Sequence, residues 1–469
     1  MVFNSVLFIC LFLPFSVLMY HCLKESLKNI FLVFVSLIFF AWNNIDHVIL
    51  LIGVIITDFI LLKAMQYRSR SKKIFLILGI IINIGLLSYY KYFNFFISIV
   101  NKAIRLDFNA IDILIPIGIS FIIFHSISYL IDSYRDESLR NTSFMDLALY
   151  LLFFPKLVEG PIVKFKDFAP QLHNRFISIS DLTMGIERFI IGLSKKVLVA
   201  DLLGETVDKI FARSSIGIDV PTAWLGAIFF TFQIYFDFSG YSDMAIGAAK
   251  LFGFSFKENF NFPYISKSVT EFWRRWHVSL GSWFREYLYF PLGGNRRGNV
   301  YVNLFIVFFI TGFWHGAGWV YLLWGTIHGV CIIIEKFLTK KNIYGKIPAV
   351  IQWGITMFIV GLGWVFFKTG NLSEAVLYYR QMFGLTGTQN ILFSFSYFLT
   401  PRNIFLFVIS ILGSVVLGKL AKKKKIIALK DSSSKVIMIG RYTMLTCLFV
   451  LSLIATVSGT YSPFLYFQF

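Results

Sequence analysis

Charged residues and cysteines are both scarce in this sequence, and each shortage narrows the class of protein. Only 15% of the 469 residues are charged, against roughly 25% in an ordinary soluble domain. The cysteines stand in or beside apolar runs, without metal-ligand or redox spacing: Cys10, Cys22, Cys331 and Cys447. Hydrophobic residues make up 57% of the chain, and the mean hydropathy is +0.72. This composition predicts an all-α polytopic membrane protein whose cysteines act as small hydrophobic residues.

Several familiar catalytic motifs are also absent. The sequence contains no Walker phosphate-binding loop, no Gly-x-Ser-x-Gly elbow, no His-Glu-x-x-His and no Cys-x-x-Cys. A covalent serine mechanism and a metal site therefore lack sequence support, and we expect no bound cofactor. The simplest remaining chemistry is direct attack by a substrate hydroxyl, with a histidine as the general base.

Basic residues outnumber acidic ones, and the formal net charge is +19. The lysines and arginines stand in short loops between apolar runs, which the positive-inside rule explains without a nucleic-acid partner. Residues 63–73, 336–346 and 422–425 are therefore predicted to be cytoplasmic. Counting spans from these loops places the N-terminus and the C-terminus outside. We expect a multi-pass protein of a bacterial inner or plasma membrane, in contact with its lipids.

Apolar runs set the predicted topology, and the candidate spans include residues 48–62, 147–157, 189–203, 320–334 and 349–367. The sequence predicts about eleven membrane spans, together with shorter re-entrant or interfacial helices, and the span count within residues 140–300 stays open. Residues 372–383 are polar and amphipathic, which is typical of an interfacial helix. No internal repeat or low-complexity tract divides the chain. Residues 1–469 are therefore expected to form one membrane domain, with a catalytic motif core at residues 232–330.

Histidines, arginines and acids are concentrated between residues 235 and 329. Burying an ionisable group at bilayer depth costs free energy, so a cluster of such groups marks a candidate functional site. His315 follows Trp314 inside an apolar run and is flanked by Gly312 and Gly316. Glycines let a helix break or a ligand approach the backbone closely, and an imidazole exchanges protons with a hydroxyl at neutral pH. The alternative is a packed histidine that is satisfied by a backbone carbonyl.

His277 closes the segment Phe272-Trp-Arg-Arg-Trp-His277, which mixes aromatic and charged residues at helical spacing. On one continuous helix, Trp273 would lie one turn before His277 and Arg274 on a neighbouring face. Arg274 and Arg275 are candidates for electrostatic support or for binding a donor. The alternative is a membrane-surface anchor, which explains the tryptophans and arginines well and the histidine poorly.

Two carboxylates, Asp237 and Asp243, stand at the end of a further apolar run. At that depth they must face protein, water or a cation. Orienting a histidine, or pairing with Arg274 or Arg275, would satisfy them, and a purely structural salt bridge is equally compatible. Three polar residues are weaker candidates, to which no role is assigned: His125, Glu159 and His328.

Long motifs throughout the chain resemble the membrane-bound O-acyltransferase family, and most closely its alginate O-acetyltransferase-like branch. The matching segments are Pro116-Ile-Gly-Ile-Ser-Phe121, Phe153-Phe-Pro-Lys-Leu-Val-Glu-Gly-Pro-Ile162, Phe232-Gln-Ile-Tyr-Phe-Asp-Phe-Ser-Gly-Tyr-Ser-Asp-Met-Ala-Ile-Gly247, Glu258-Asn-Phe-Asn-Phe-Pro-Tyr264, Glu271-Phe-Trp-Arg-Arg-Trp-His-Val-Ser-Leu280, Tyr287-Leu-Tyr-Phe-Pro-Leu-Gly-Gly-Asn-Arg296, Phe313-Trp-His-Gly316 and the closing Phe467-Gln-Phe469. One departure is His125, which stands where a glutamine or a similar polar residue is expected.

The resemblance implies a helical fold around a tunnel through the membrane, with His315 at its middle and His277 nearer the cytoplasm. It implies transfer of acetyl from a cytoplasmic donor, with acetyl-CoA expected, to a separate extracytoplasmic SGNH or esterase-like acetyltransferase that esterifies a polysaccharide. In that scheme His315 is the general base and His277 orients the donor or assists proton movement. The supporting or donor-binding residues would be Asp237, Arg274, Arg275, Trp314 and Asp243.

Other functions remain open at this point. Teichoic-acid D-alanyltransferases share both histidine motifs, although the Pro-Leu-Gly-Gly-Asn-Arg stretch looks more like the alginate type. A transporter or flippase for a glycan or lipid-linked intermediate would also place acids and histidines in the membrane, but the sequence lacks paired broken helices in two related halves. A structural subunit of an export complex leaves the histidine motifs unexplained. The acceptor polysaccharide and the oligomeric state are not determined by the sequence.

Overall fold

The structure is a computed structural model, and it describes the chain except residues 43, 174, 387–393, 423–434 and 460–469. All regular secondary structure in the described residues is helical, which confirms the predicted all-α class. Most of the basic stretch 422–425, the C-terminus and the closing motif 467–469 lie outside the described residues. The orientation of the C-terminus therefore stays a prediction.

The helices group into two compact units. The first unit comprises Met1–Phe189 and Ser242–Lys257. Its helices are α1 (Leu13–Cys22), α2 (Glu25–Ala41), α3 (Ile45–Tyr67), α4 (Lys72–Leu87), α5 (Phe93–Ile104), α6 (Ile119–Arg135), α7 (Phe144–Leu152), α8 (Phe154–Leu157), α9 (Phe165–Phe168) and most of α10 (Ile179–Ser194). Whether these units behave as the expected single domain stays a prediction.

The second unit comprises Ile190–Tyr241 and Glu258–Phe469. Its helices are α11 (Asp201–Ala212), α13 (Val269–Arg275), α14 (Val278–Phe284), α15 (Val300–His315), α16 (Trp319–Lys340), α17 (Ala349–Thr369), α18 (Leu372–Met382), α19 (Phe395–Phe398), α20 (Pro401–Ile411), α21 (Leu417–Lys422) and α22 (Lys435–Ser458). The long helix α12 (Val220–Leu251) contributes residues to both units. Residues 242–257 of the predicted motif core at 232–330 belong to the first unit, and the catalytic role of that core stays a prediction.

Six helical stretches within the described residues are long and apolar enough to cross a membrane. They are Ile45–Tyr67, Lys72–Ile104, Trp319–Lys340, Ala349–Thr369, Pro401–Leu420 and Lys435–Ser458. Two apolar helices are shorter, at Phe8–Cys22 and Val300–His315. These helices, together with the composition, fit a multi-pass membrane protein. The number of full-length helices is smaller than the predicted number of spans.

Part of the difference arises where an apolar run is broken into shorter helices. The run at residues 147–157 divides into α7 and α8, with Pro155 close to the start of α8. Proline has no backbone N–H to donate to the preceding turn, so the first helix cannot continue through it. The run at residues 189–203 is interrupted by a π-helical turn at Lys195–Ala200. The amphipathic helix predicted at residues 372–383 is confirmed as α18.

Phenylalanine rings build much of the core of the first unit. Phe3 stacks on Phe8 with ring centroids 4.6 Å apart, and both rings lie edge-on to Phe154 at 6.3 and 6.1 Å. Phe39 packs against the same ring of Phe154 at 5.5 Å. Such edge-to-face and offset pairs add about 0.5–1.5 kcal/mol each beyond the area that they bury. The abundance of phenylalanine is thus used in packing helix against helix.

The helices α15 and α16 form a hairpin that carries His315 at its tip. The side chain of Asn299 accepts a hydrogen bond from the backbone N–H of Tyr301 and starts α15, while the glycines that follow His315 end it. Gly312 and Gly325 face each other, because a Cβ added to Gly325 would lie 2.9 Å from the Cα of Gly312. The two backbones can approach this closely only because neither position carries a side chain.

We expect Gly325→Ala to destabilise the hairpin. The added methyl would lie 2.4 Å from the carbonyl oxygen of Phe308, and overpacking of this kind typically costs about 1–3 kcal/mol. The matched control is Gly354→Ala on α17, where an added Cβ meets no atom within 4 Å. Its expected effect is neutral or stabilising by up to about 1 kcal/mol. Thermal unfolding of the two purified variants measures the difference, and equal melting temperatures would contradict this account.

Candidate active site

His315 is the last residue of α15 and is almost completely enclosed. Its side chain is 3% exposed, and the next residue, Gly316, has extended backbone angles that turn the chain away from the helix. The ring lies edge-on to those of Trp324 and Phe367, each with centroids 5.2 Å away. The neighbouring ring of Trp314 lies 4.8 Å away. His315 is therefore an imidazole inside an aromatic cage, where a reacting group is largely shielded from bulk water.

His277 lies between two helices, so the expectation that it continues the helix of Trp273 and Arg274 is wrong. The helix α13 ends at Arg275, and His277 stands before the first residue of α14 with φ 44° and ψ 53°. This left-handed conformation is strained for a residue other than glycine and persists only where the surroundings enforce it. Such residues cluster at functional sites, so the strain adds a reason to regard His277 as functional.

The imidazole of His277 is buried and oriented by an amide. Its side chain is 1% exposed, and Nδ1 lies 3.1 Å from Oδ1 of Asn259. The ring packs edge-on against Phe238, with centroids 4.7 Å apart. His277 lies outside the six membrane-spanning stretches, and burial lowers its pKa from the usual 6.5 to about 3. Burial therefore favours the neutral form of the ring.

A chain of aromatic rings in the second unit connects the surroundings of the two histidines. Trp276, next to His277 in the sequence, packs against Trp364 with centroids 4.7 Å apart. Trp364 contacts Phe367 at 5.4 Å, and Phe367 contacts His315. The structure thus places both predicted catalytic histidines in one aromatic cluster. The motifs of the two histidines are separated in the chain by the whole of α14 and α15. The local sequence pattern did not predict that their surroundings would be connected.

Asp237 is paired with a lysine that the sequence analysis did not consider. The Nζ atom of Lys196 lies 2.6 Å from Oδ1 of Asp237 and 2.7 Å from Oδ1 of Asp201. Lys196 and Asp237 are both buried. The signal that could have identified Lys196 was present, since it is a basic residue inside the apolar run at 189–203 and a charge at that depth requires a partner.

Asp243 belongs to a different unit from the two histidines. It lies in the part of α12 assigned to the first unit and forms an ion pair of 2.7 Å with Arg188. Arg188, like Lys196, was absent from the partners that the sequence suggested. Asp243 and Asp237 therefore belong to different units, although they are only six residues apart in the sequence.

The two arginines before His277 differ in their surroundings. Arg275 forms an ion pair of 2.9 Å with Glu271 on its own helix and donates to the backbone oxygen of Asn261 at 3.0 Å. Arg274 is exposed. The contacts of Arg275 hold α13 to the segment before it, whereas a donor-binding role for either arginine stays a prediction.

Among the weaker candidates, His328 and His125 have defined structural contacts. The indole N–H of Trp273 donates to Nδ1 of His328 at 3.4 Å, so a neutral His328 carries its proton on Nε2. His125, in the first unit, accepts from the backbone N–H of Val163 at 3.3 Å. Glu159 is also buried in the first unit. The described residues contain no group of three or more histidine, cysteine, aspartate or glutamate side chains placed to hold a metal ion.

Comparison with known proteins gives a consistent set of relatives. The family model of the membrane-bound O-acyltransferases matches residues 3–342. The protein named probable alginate O-acetylase AlgI from Pseudomonas putida is 38% identical over 493 residues, covering all of both chains. The peptidoglycan O-acetyltransferase of Helicobacter pylori is 36% identical over 425 residues, covering 82% of this chain and 80% of that protein.

A more distant relative has a different acyl group in its name. The teichoic acid D-alanyltransferase of Streptococcus thermophilus is 32% identical over 248 residues, covering 49% of this chain and 59% of that protein. The shared region is thus shorter than for the O-acetylating relatives. With a family model that covers well over half of the chain and relatives that match along most of its length, this protein belongs to the membrane-bound O-acyltransferase family and is an acyltransferase.

Proposed function

We propose that this protein transfers acetyl groups from acetyl-CoA, bound on the cytoplasmic side, for the O-acetylation of an extracytoplasmic polysaccharide. The observation that carries the proposal is the aromatic cluster that surrounds His315 and includes the neighbours of His277. The relatives that match most of the chain are named for O-acetylation of alginate or peptidoglycan, which supports acetyl as the transferred group. The proposed location of the protein is a bacterial inner membrane.

The chemistry requires one base and a shielded thioester. A hydroxyl oxygen attacks the acetyl carbonyl carbon while His315 takes the hydroxyl proton. The new C–O bond forms, the C–S bond of the thioester breaks, and the proton passes to the departing thiolate to give CoA. Because the cage around His315 excludes water, transfer is favoured over hydrolysis of the thioester. General-base assistance of this kind contributes about 10²–10⁴-fold to the rate.

The hairpin geometry suggests how the two substrates approach. The basic residues at 336–346 stand at the end of α16 and are predicted to be cytoplasmic. Trp324, which contacts His315, lies 12 residues before Lys336, the first of these basic residues on α16, or about 18 Å along a helix. His315 is therefore proposed to lie near the middle of the membrane, where the thioester arrives from the cytoplasm and the acceptor hydroxyl from outside. The acceptor is proposed to be a polysaccharide or a separate esterase-like acetyltransferase that acetylates it.

Purified protein in lipid nanodiscs with radiolabelled acetyl-CoA tests the proposal. We expect CoA release and label transfer to a hydroxyl acceptor, such as an uronate or peptidoglycan oligosaccharide, and a background rate with His315→Ala. A parallel reaction with a D-alanyl thioester tests whether the protein transfers D-alanyl, the acyl group in the name of the more distant relative. Movement of intact glycan without CoA release would favour a transporter, and CoA release that is equal in both proteins would contradict the assignment of His315.

A further inference from the structure

The backbone around His277 is held by the segment Glu258–Asn261. The N–H of Val278 donates to the carbonyl oxygen of Asn259 at 2.8 Å, and the N–H of Asn261 donates to the carbonyl oxygen of Arg275 at 2.9 Å. These two bonds bracket His277 and fix the left-handed turn, a conformation that residues other than glycine rarely adopt. A strained turn secured in this way sets the direction of the side chain that it carries.

The contacts of the Asn259 side chain show which way its amide group faces. Its Oδ1 atom lies 3.2 Å from the backbone nitrogen of Ser279 and 2.9 Å from the Ser279 hydroxyl. A backbone N–H can only donate, so the atom that faces it must be an acceptor. The carbonyl oxygen of the Asn259 amide, and not its NH₂ group, therefore points towards Ser279 and His277. The usual ambiguity of amide orientation is removed at this position.

This orientation specifies the protonation of His277. Its Nδ1 atom lies 3.1 Å from the same oxygen, and two acceptors would repel each other at that distance. Nδ1 must therefore carry the hydrogen and donate it to Asn259. In a neutral imidazole the other nitrogen, Nε2, then holds the lone pair. Histidines at functional sites are commonly held in one tautomer by such a carbonyl.

We propose that Asn259 is a positioning residue that holds His277 in the Nδ1–H tautomer, so that Nε2 accepts a hydrogen bond from an O–H or N–H group of the bound substrate. The role of His277 at the reaction site rests on the proposed function, whereas its tautomer does not. An acceptor nitrogen at Nε2 orients a hydroxyl or an amide of a thioester carrier. The same nitrogen cannot donate to the oxyanion that develops on the acetyl carbonyl, so this tautomer excludes an oxyanion-stabilising role for it.

Nitrogen NMR of the protein with ¹⁵N-labelled histidine rings tests the tautomer directly. The signals of His277 are assigned by their loss in His277→Gln. We expect a proton-bearing Nδ1 and an unprotonated Nε2 at neutral pH, without any acyl donor present. A proton on Nε2 would overturn the proposal. Because the measurement uses no substrate, its result does not depend on whether acetyl-CoA is the donor.

Three variants test whether the amide oxygen supports turnover. Asn259→Leu keeps a similar volume but removes the acceptor, and we expect kcat to fall about 10- to 100-fold, with loss of the uniform Nδ1–H tautomer. Asn259→Asp restores an acceptor oxygen and is expected to recover most of kcat and that tautomer. Ser279→Ala is the matched control: it removes a hydroxyl that lies 2.9 Å from the same oxygen and 3.5 Å from Nδ1 of His277, and it leaves the amide oxygen of Asn259 facing His277. We expect it to lower kcat less than Asn259→Leu.

Folding is monitored separately, by the melting temperature of each variant. A fall in kcat for a stably folded Asn259→Leu, with recovery in Asn259→Asp, supports positioning. A wild-type kcat in Asn259→Leu would overturn the proposal. If Asn259→Leu does not fold, the tautomer of the unmodified protein decides the question. Release of CoA by the wild-type protein, measured in the same assay, tests the proposed function independently.

Discussion

Replacing His315 with alanine is expected to abolish O-acetylation while the protein still inserts into the membrane and accumulates normally. The imidazole is the proposed base, and its loss should reduce turnover by about 10²–10⁴-fold. Alanine leaves a cavity among the surrounding rings, so His315→Gln is the size-matched companion: it retains hydrogen-bonding groups but cannot act as a base near neutral pH. Both variants are measured by CoA release and by acetyl content of the polysaccharide.

The control for this experiment is a histidine away from the aromatic cluster. His173, in the first unit, is 68% exposed in its side chain and lies 3.4 Å from Asp146, so His173→Ala should preserve both abundance and turnover. The assignment of His315 is contradicted if His315→Ala and His315→Gln acetylate at a normal rate. It is likewise contradicted if the two lose activity only in proportion to a loss of folded protein.

Lys196→Met is expected to cause a large loss of stability in the second unit. Its ammonium contacts the carboxylates of Asp237 and Asp201, and its side chain is 1% exposed. Breaking a buried ion pair by removing one partner typically costs about 3–5 kcal/mol, because the remaining charge stays in a medium of low dielectric constant. Asp201 is partly exposed and recovers some hydration, so Asp201→Asn should cost less.

The same substitution at an exposed pair provides the control. Lys257, in the first unit, is 77% exposed and lies 2.9 Å from Asp167. Exposed pairs of this kind contribute about 0–1 kcal/mol, so Lys257→Met should leave the melting temperature nearly unchanged. The measurement is thermal unfolding in one detergent at one salt concentration. Equal shifts for Lys196→Met and Lys257→Met would show that the buried triad does not stabilise the unit.

Much of the helical architecture was predictable because membrane helices are specified by local composition. A run of apolar residues long enough to cross the bilayer satisfies its backbone hydrogen bonds internally, so its presence in the sequence is sufficient. The helices α3, α16 and α17 were predicted on this basis and are present. The prediction was less successful where a proline or a π-helical turn interrupts an apolar run, since these breaks shorten a helix without changing the hydropathy much.

The site was predictable as a set of residues but not as an arrangement. The position of His277 outside a helix depends on hydrogen bonds to Asn259 and Asn261, which lie 16 to 18 residues earlier in the chain. The helical spacing before His277 gave no indication of that break. The partners of the two aspartates were missed for the same reason: Lys196 is 41 residues from Asp237, and Arg188 is 55 residues from Asp243.

The sequence by itself determined that this protein is helical, membrane-embedded and a member of an acyltransferase family, because apolar length and extended motifs are properties of contiguous residues. Only the tertiary structure decided which side chains meet. It brought the neighbours of His277 and His315 into one aromatic cluster, assigned Lys196 to Asp237, and turned the oxygen of Asn259 towards His277. Such contacts join residues that are distant in the chain, and they depend on how whole helices pack together. The short-range periodicity of the sequence does not specify that packing.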